Sequence, residues 1–366
     1  MKILIDARFT RLDQHDGISR YGASLIAAAA RIADVSMLIS DVRQLALLPD
    51  VPYTLINSPL SPAELFVAAR VNRLGADVVV CPMQTMGTWG RKYALVLTLH
   101  DLIYYEHPAP PGFLPAPVRV LWRLYHKAFW PQRLLLNRAD VVATISSTTA
   151  ALIAKYRLTK RPVRIVGNAP QHGHTPRDPG AGADKTLLYM GSFMPYKNVE
   201  TMIRGMAELP DMTLHLLSRI SPERRAELEQ LAPDGARIVF HNGVTDAEYE
   251  AMLARTTALI SLSRAEGYGL PLVEAMSHGT PVIASDIPIF REVGGDAASY
   301  VHPDSPPEFA QAVRTLEQPE LWKARSRLSV ERAAGFSWDE SARRLVDAAA
   351  EAVAMRGRKR APGTLS

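Results

Sequence analysis

The stretch TALISLSRAEGYGLPLVEAMSHGTPVIASD, residues 257–286, contains an apolar run, a glycine-rich turn, a helix-length segment and a second apolar run. TALISLS reads as a buried strand, RAEGYGLP as the turn after it, and LPLVEAMSHG as a helix stopped by Gly279. TPVIASD reads as the next strand, so the segment predicts one unit of a parallel α/β sheet. Pro271 falls in the first helical turn, where its missing N–H costs nothing. The N–H groups of Gly267, Tyr268, Gly269 and Leu270 are then available to phosphate or sugar oxygens. Glu266 and Glu274 stand eight positions apart across this turn, a spacing suited to holding two ends of one ligand. Glu274, about one turn into the helix, can accept hydrogen bonds from a ribose diol, while Glu266 lies toward whatever sits beyond the phosphates.

The same alternation runs outward in both directions. KILIDA, VSMLIS, ADVVVCP, YALVLTLHD, DVVATIS and VRIVGN precede it as short apolar runs spaced by helix-length segments, which predicts a first buried parallel sheet. The Pro-, Gly- and His-rich stretch Ala169–Lys185 reads as a linker. After it TLLYMGS, MTLHLLS and ARIVFHNG lead up to the opening stretch, giving a second α/β domain. The expected organisation is a first α/β domain over 1–168, a linker over 169–185 and a second α/β domain over 186–335. A helix over 336–355 returns toward the first domain, and a basic tail occupies 356–366. Two such domains joined by a linker predict a cleft, with ligands at the carboxyl ends of the strands.

Composition excludes several classes. Of 366 residues, 47% are hydrophobic and 22% charged, a globular balance. The single cysteine, Cys81, cannot form an internal disulfide, which suits a reducing cytoplasm. No run of about 18 apolar residues occurs and MKILIDARF has no long apolar leader, so a cytoplasmic chain, at most peripheral on the inner face of a membrane, is expected. Residues 1–183 carry 21 Lys and Arg against 12 Asp and Glu, leaving 21 against 25 for the remainder. Between 118 and 164, ten cations including Arg119, Arg123, Lys127 and Arg133 are opposed only by Asp140.

The E-x7-E pattern of Glu266 and Glu274 with GYGLP inside it resembles that of the retaining glycosyltransferases of family 4. YMGSFMPYKN is similar to the segment that opens the family's C-terminal domain, HDGISRY to its N-terminal glycine loop, TLHD to its His-Asp after a strand, and FSWDESARRL to its closing helix. The resemblance covers most of the chain and is nearest the mannosyltransferase-like branch. It implies the GT-B fold, two facing Rossmann-like domains with a cleft between them, the first (1–168) acceptor-binding and the second (186–335) nucleotide-sugar-binding. It also implies transfer of a sugar from a nucleoside diphosphate sugar, GDP-mannose before a UDP-sugar, to a lipid-linked glycan or glycolipid in envelope polysaccharide synthesis.

Each residue has a plain structural alternative. The resemblance implies that Glu266 contacts the donor sugar, where the alternative is a solvated loop acid, and that Lys197 neutralises the leaving diphosphate, where the alternative is an exposed helix-opening lysine. Gly191 carries over, but the family often places an arginine where this chain has Ser192; Arg219 and Arg264 are possible substitutes. Gly17 admits close approach of a diphosphate or is a plain turn glycine. His100 contacts a sugar hydroxyl, and Asp101 supports it. Asn242, Gly243 and Val244 resemble the loop beside the base. No D-x-D pair occurs, so no metal is expected.

VRVLWRLYHKAFWPQRLLLNR, residues 118–138, interleaves cations with Trp122, Tyr125, Phe129 and Trp130. Its composition fits a helix at an anionic membrane surface as well as a packed helix with solvated charges. No recognition motif supports nucleic-acid binding. A nicotinamide enzyme would need the G-x-G-x-x-G that DARFTRLDQHDGISRYG lacks. A GT-B sugar-nucleotide epimerase and a non-catalytic glycan- or lipid-binding protein are the other readings.

Overall fold

The computed structural model describes residues 1–110, 116–171 and 175–360, which form two units: Met1–Asn168 with the C-terminal segment from Ser337, and Ala169–Phe336. Among the described residues, unit 1 contains seven strands: β1 Lys2–Asp6, β2 Asp34–Ile39, β3 Tyr53–Leu55, β4 Val78–Cys81, β5 Ala94–Leu99, β6 Val141–Thr144 and β7 Val163–Ile165. They pair in parallel in the order β3-β2-β1-β4-β5-β6-β7. Unit 2 contains β8 Asp184–Tyr189, β9 Thr213–Leu216, β10 Arg237–Phe240, β11 Thr256–Ser261, β12 Val282–Ser285 and β13 Ser299–Val301. Their order is β10-β9-β8-β11-β12-β13, again all parallel. Each sheet reverses direction once, between β1 and β4 and between β8 and β11. Those reversals open the crevices in which such sheets bind ligands.

The central strands β4, β5, β6, β11 and β12 are buried on both faces, which is why they read as unbroken apolar runs. The strands that sequence reading missed, β3 and β13, are three-residue edge strands too short to show a period. Residues 169–185 differ more. The stretch expected to be a linker belongs to unit 2: the guanidinium of Arg177 stacks 4.6 Å from the Trp322 ring and donates to the Thr256 carbonyl at 2.8 Å. The first helix begins at Gly17, capped by Asp16. The closing helix runs Trp338–Arg360, so residues 356–360 of the expected tail are helical, while 361–366 lie outside the described residues. It packs within unit 1 on the Gly17–Ala29 helix and β5. No described helix is long and apolar enough to cross a membrane.

The basic stretch 118–138 is not one helix. It forms Ala116–Tyr125 and Trp130–Leu136, separated where Pro131 starts the second. Phe129 turns inward, stacked between Tyr105 and Tyr156 at 4.4 Å from each. Trp122 packs edge-on to Tyr104, while Leu121, Leu124 and Trp130 are exposed. Several of the cations are tied down: Arg133 and Arg161 donate to backbone carbonyls, and Arg164 pairs with Glu351.

The end of β1 is fixed by a buried ion cluster. Arg8 donates from Nε and Nη2 to the two oxygens of Asp6, each at 2.8 Å, and from Nη1 to Glu64 at 2.6 Å. Glu64 in turn accepts from the Gly87 N–H at 3.0 Å. Asp6→Ala strands the inaccessible Arg8 guanidinium and should cost about 3–5 kcal/mol. Urea denaturation followed by tryptophan fluorescence measures it; a loss below about 1 kcal/mol would show that Glu64 alone suffices.

Candidate active site

In unit 2 the predicted residues gather at the β8/β11 reversal. β8 ends at Tyr189, whose buried hydroxyl donates to the Ser192 carbonyl at 2.6 Å beneath the turn. A Cβ on Gly191 would lie 2.7 Å from that hydroxyl, so the position requires glycine. The Gly191 N–H is held by Ser218 Oγ at 3.1 Å. The short turn Pro195–Lys197 follows, and Asn198 closes it in the left-handed conformation at φ 56°. Asn198 is wholly buried; its amide donates to the carbonyls of Leu262 at 3.0 Å and Pro303 at 2.6 Å and accepts from Thr201. This ties the lysine turn to the segment after β11.

As a result Lys197 Nζ donates to Glu266 Oε2, and the two side chains are only 13% and 17% exposed. Sequence reading assigned both to one reaction, and the structure brings them into contact. Lys197 is thus no solvated surface lysine. The loop is braced further by the Arg264 N–H donating to the Tyr196 carbonyl at 2.8 Å and by Ser285 Oγ donating to the Ser263 carbonyl. Gly267, Tyr268 and Gly269 are buried. Gly269 precedes the helix Leu270–Ser277 at φ 90°, with Phe290 only 2.7 Å from where a Cβ would stand, so no other residue fits without movement. Glu274 lies half-buried on that helix.

The loop after β10 turns through Asn242 at φ 56° and Gly243 at φ 108°. Asn242 Oδ1 accepts from the Ile220 N–H at 3.1 Å, and Val244 is half-buried behind it. Of the two possible substitutes for the arginine absent at Ser192, Arg264 is committed to Asp304 at 2.5 Å and to the Pro195 carbonyl. Arg219 is exposed and lies along Gly243, its Cγ 3.1 Å from where a Cβ would be. It follows Ser218, the residue that holds Gly191.

In unit 1, Gly17 is the exposed first residue of its helix, with open space where a side chain would project. His100 follows β5; its Nε2 lies 2.7 Å from the Pro82 carbonyl, which fixes the proton there and leaves Nδ1 as an acceptor. Burial holds its pKa below the ordinary histidine value, so the ring is neutral. Asp101 Oδ1 accepts from the Ile103 N–H at 3.0 Å, at the start of the short helix Ile103–Glu106. Ile18, next to Gly17, and His100 line one cavity of about 580 Å³ with Trp122, Tyr125 and Gln132. Nothing in the sequence pattern announced this cavity, because its walls come from separate segments and read individually as core.

A family model described as Glycosyl transferases group 1 matches residues 184–318, and one described as Glycosyltransferase Family 4 matches residues 22–169. The chain is similar to the O-antigen chain mannosyltransferase RfbU of Salmonella typhimurium, 27% identical over 61% of this chain and 60% of that protein. The aligned part thus spans less than two thirds of this relative. It is 26% identical to the MMP alpha-(1->4)-mannosyltransferase of Mycolicibacterium hassiacum over 78% of this chain and 74% of that protein. Among solved structures, HepE of Anabaena in complex with UDP-glucose shares the fold at a TM-score of 0.69 and 17% identity, covering 95% of this chain and 98% of that one.

Burial lowers the pKa of His126 and His215 as well as that of His100. An unfolded chain takes up protons at these rings as pH falls through 6.5, while the native rings resist until lower pH. Stability is therefore full above that value and declines below it. The denaturation midpoint should fall between about pH 7 and about pH 5, and His100→Gln, which keeps a donor for Pro82, should flatten part of that slope. A midpoint that rises on acidification would contradict it.

Proposed function

The chain belongs to glycosyltransferase family 4, and from that premise we propose that it moves a hexosyl group, mannose before glucose, from a nucleoside diphosphate sugar to an acceptor hydroxyl with retention. The observation that carries this reading is the contact between Lys197 and Glu266 at the β8/β11 reversal, under the turn that opens the Leu270–Ser277 helix. The donor belongs to unit 2, with its ribose on Glu274, its diphosphate on Lys197, Gly191, Ser192 and the N–H groups of Gly267 to Leu270, and its base beside Asn242, Gly243 and Val244. Arg219 is the second cation. GDP-mannose is the donor suggested by the mannosyltransferase relatives, and a UDP-sugar the one suggested by the HepE complex.

In the free protein Lys197 is neutralised by Glu266. An arriving diphosphate competes for the ammonium and leaves the carboxylate facing the sugar, where it stabilises positive charge that develops at the anomeric carbon. In the reaction, the bond from the anomeric carbon to the phosphate oxygen breaks with its electrons leaving on the phosphate. The acceptor oxygen bonds the same face of that carbon, and its proton passes to the departing phosphate oxygen. In unit 1, His100 Nδ1 accepts a hydrogen bond from a hydroxyl of the acceptor sugar. The positive field comes from Lys197, Arg219 and backbone N–H groups, so turnover is independent of divalent metal.

Glu266→Gln and Lys197→Ala should each lower kcat by at least about 100-fold with the fold intact. Glu274→Ala and Arg219→Ala should mainly weaken donor binding, by about tenfold each. Steady-state kinetics with GDP-mannose and UDP-glucose in the presence of EDTA, with NMR of the product, tests the assignment. Near-normal turnover in the first two variants, strict metal dependence or a β-linked product would overturn it.

The acceptor is a lipid-linked glycan or glycolipid of the cell envelope, and the chain works at the inner face of the cytoplasmic membrane. Exposed Val120, Leu121, Leu124 and Trp130 beside Arg123 and Lys127 support this, each cation near anionic lipid being worth about 1 kcal/mol. Arg123→Ser with Lys127→Ser should release the protein from phosphatidylglycerol vesicles in co-sedimentation, as should high salt. Unchanged sedimentation would mean that these helices are a packed surface only.

A further inference from the structure

The cavity in unit 1 has a chemistry of its own. Aromatic and aliphatic side chains form most of its wall, among them Leu99, Tyr105, Leu121 and Trp122. Three buried polar atoms in its lining residues have no partner, Gln132 Nε2, Trp122 Nε1 and the Tyr105 hydroxyl; the first two can only donate. Gln132 is 1% exposed, and its Oε1 accepts from the Tyr125 hydroxyl at 3.1 Å, so the amide N–H₂ is the end left over. An indole N–H only donates, and so does the amide nitrogen. A buried donor without a partner costs about 1–3 kcal/mol, which a ligand oxygen placed between them would recover.

A bare sugar does not suit this wall. Most of the wall offers a hydroxyl no partner, and each hydroxyl stranded against it would oppose binding. An apolar chain that ends in an oxygen does suit it: the chain replaces water along the aromatic wall, and the oxygen meets Gln132 and Trp122. The volume, about 580 Å³, lies within the range of small-ligand pockets. His100 lines the cavity, and so does Leu121, which is 66% exposed. A ligand with its sugar at His100 would run its chain toward Leu121.

We propose that this cavity binds the apolar aglycone of the acceptor, an alkyl or isoprenyl chain joined to its sugar through an oxygen that accepts from Gln132 and Trp122. The proposal rests on the reading of unit 1 as the acceptor domain. It makes the enzyme selective for amphiphilic glycosides over free glycans through the unit itself, without a bilayer.

The test is calorimetric titration of the full chain with methyl, butyl, hexyl and octyl α-D-mannopyranoside, each below its micelle concentration, alongside GDP and UDP. Affinity should rise by up to about fourfold per methylene until the cavity is full. Leu121→Trp, at an exposed position, and Gln132→Leu should each weaken hexyl mannoside binding about tenfold, with circular dichroism and melting temperature showing both variants folded. No saturable binding of the hexyl and octyl glycosides, affinity independent of chain length, or full hexyl affinity in both variants would overturn the proposal. Nucleotide binding without chain-length dependence removes the cavity assignment and leaves the transferase reading in place. Chain-length dependence without nucleotide binding keeps the cavity and removes the transferase reading.

Discussion

The site in unit 2 depends on one buried amide. Asn198 occupies a left-handed backbone conformation that a branched residue would not tolerate, and its side chain bridges the ends of two chain segments that emerge from neighbouring parts of the sheet. Parallel strands leave such ends without sheet partners, so their carbonyls must be satisfied by something in the following loops. Here the same donor satisfies Leu262 and Pro303 while fixing the turn that carries Lys197. The carboxylate of Glu266, four residues beyond Leu262, then has little choice of partner. The ion pair is a consequence of backbone accounting before it is a piece of chemistry.

That order explains why so much was legible from sequence. Buried parallel strands advertise themselves because both faces are apolar, and the central strands of both sheets were found that way. The E-x7-E spacing was legible because Gly269 and Pro271 dictate a turn followed at once by a helix, and this separates the two acids by a fixed geometry. The sequence offers Lys197 as a site candidate, but the residue that holds it in place, Asn198, carries no local signal of its own. Its burial and its two carbonyl partners lie 64 and 105 positions away in the chain, a separation no local pattern records.

Composition and contacts diverge in two segments. Residues 169–185 have the Pro and Gly content of a linker, yet Arg177 closes over Trp322 and makes the segment part of unit 2. The basic stretch has the composition of a membrane helix, yet Pro131 divides it, Phe129 is sandwiched between tyrosines, and Arg133, Arg161 and Arg164 have partners within unit 1. What remains available on its outer surface is a smaller set, with Arg123 and Lys127 beside exposed aliphatic side chains. Charge counted along a chain overstates charge offered to a partner, because arginine satisfies backbone carbonyls as readily as it meets anions.

The two units show opposite ways of keeping polar groups ready for a ligand. In unit 2 the charged groups Lys197 and Glu266 are paired with each other, so the cost of partial burial is offset and the proposed donor binding is an exchange of partners. In unit 1, Gln132 and Trp122 keep donors unpaired inside an apolar wall, so a ligand oxygen gains from a deficit already present in the protein. Exchange suits a dianionic group that must leave again after each turnover, since the carboxylate is waiting to reclaim the ammonium. A standing deficit suits a neutral chain, whose hold otherwise rests on undirected burial and needs one directional contact to set its register. On the proposed reading, the difference in electrostatic preparation follows the difference between the ligands of the two units.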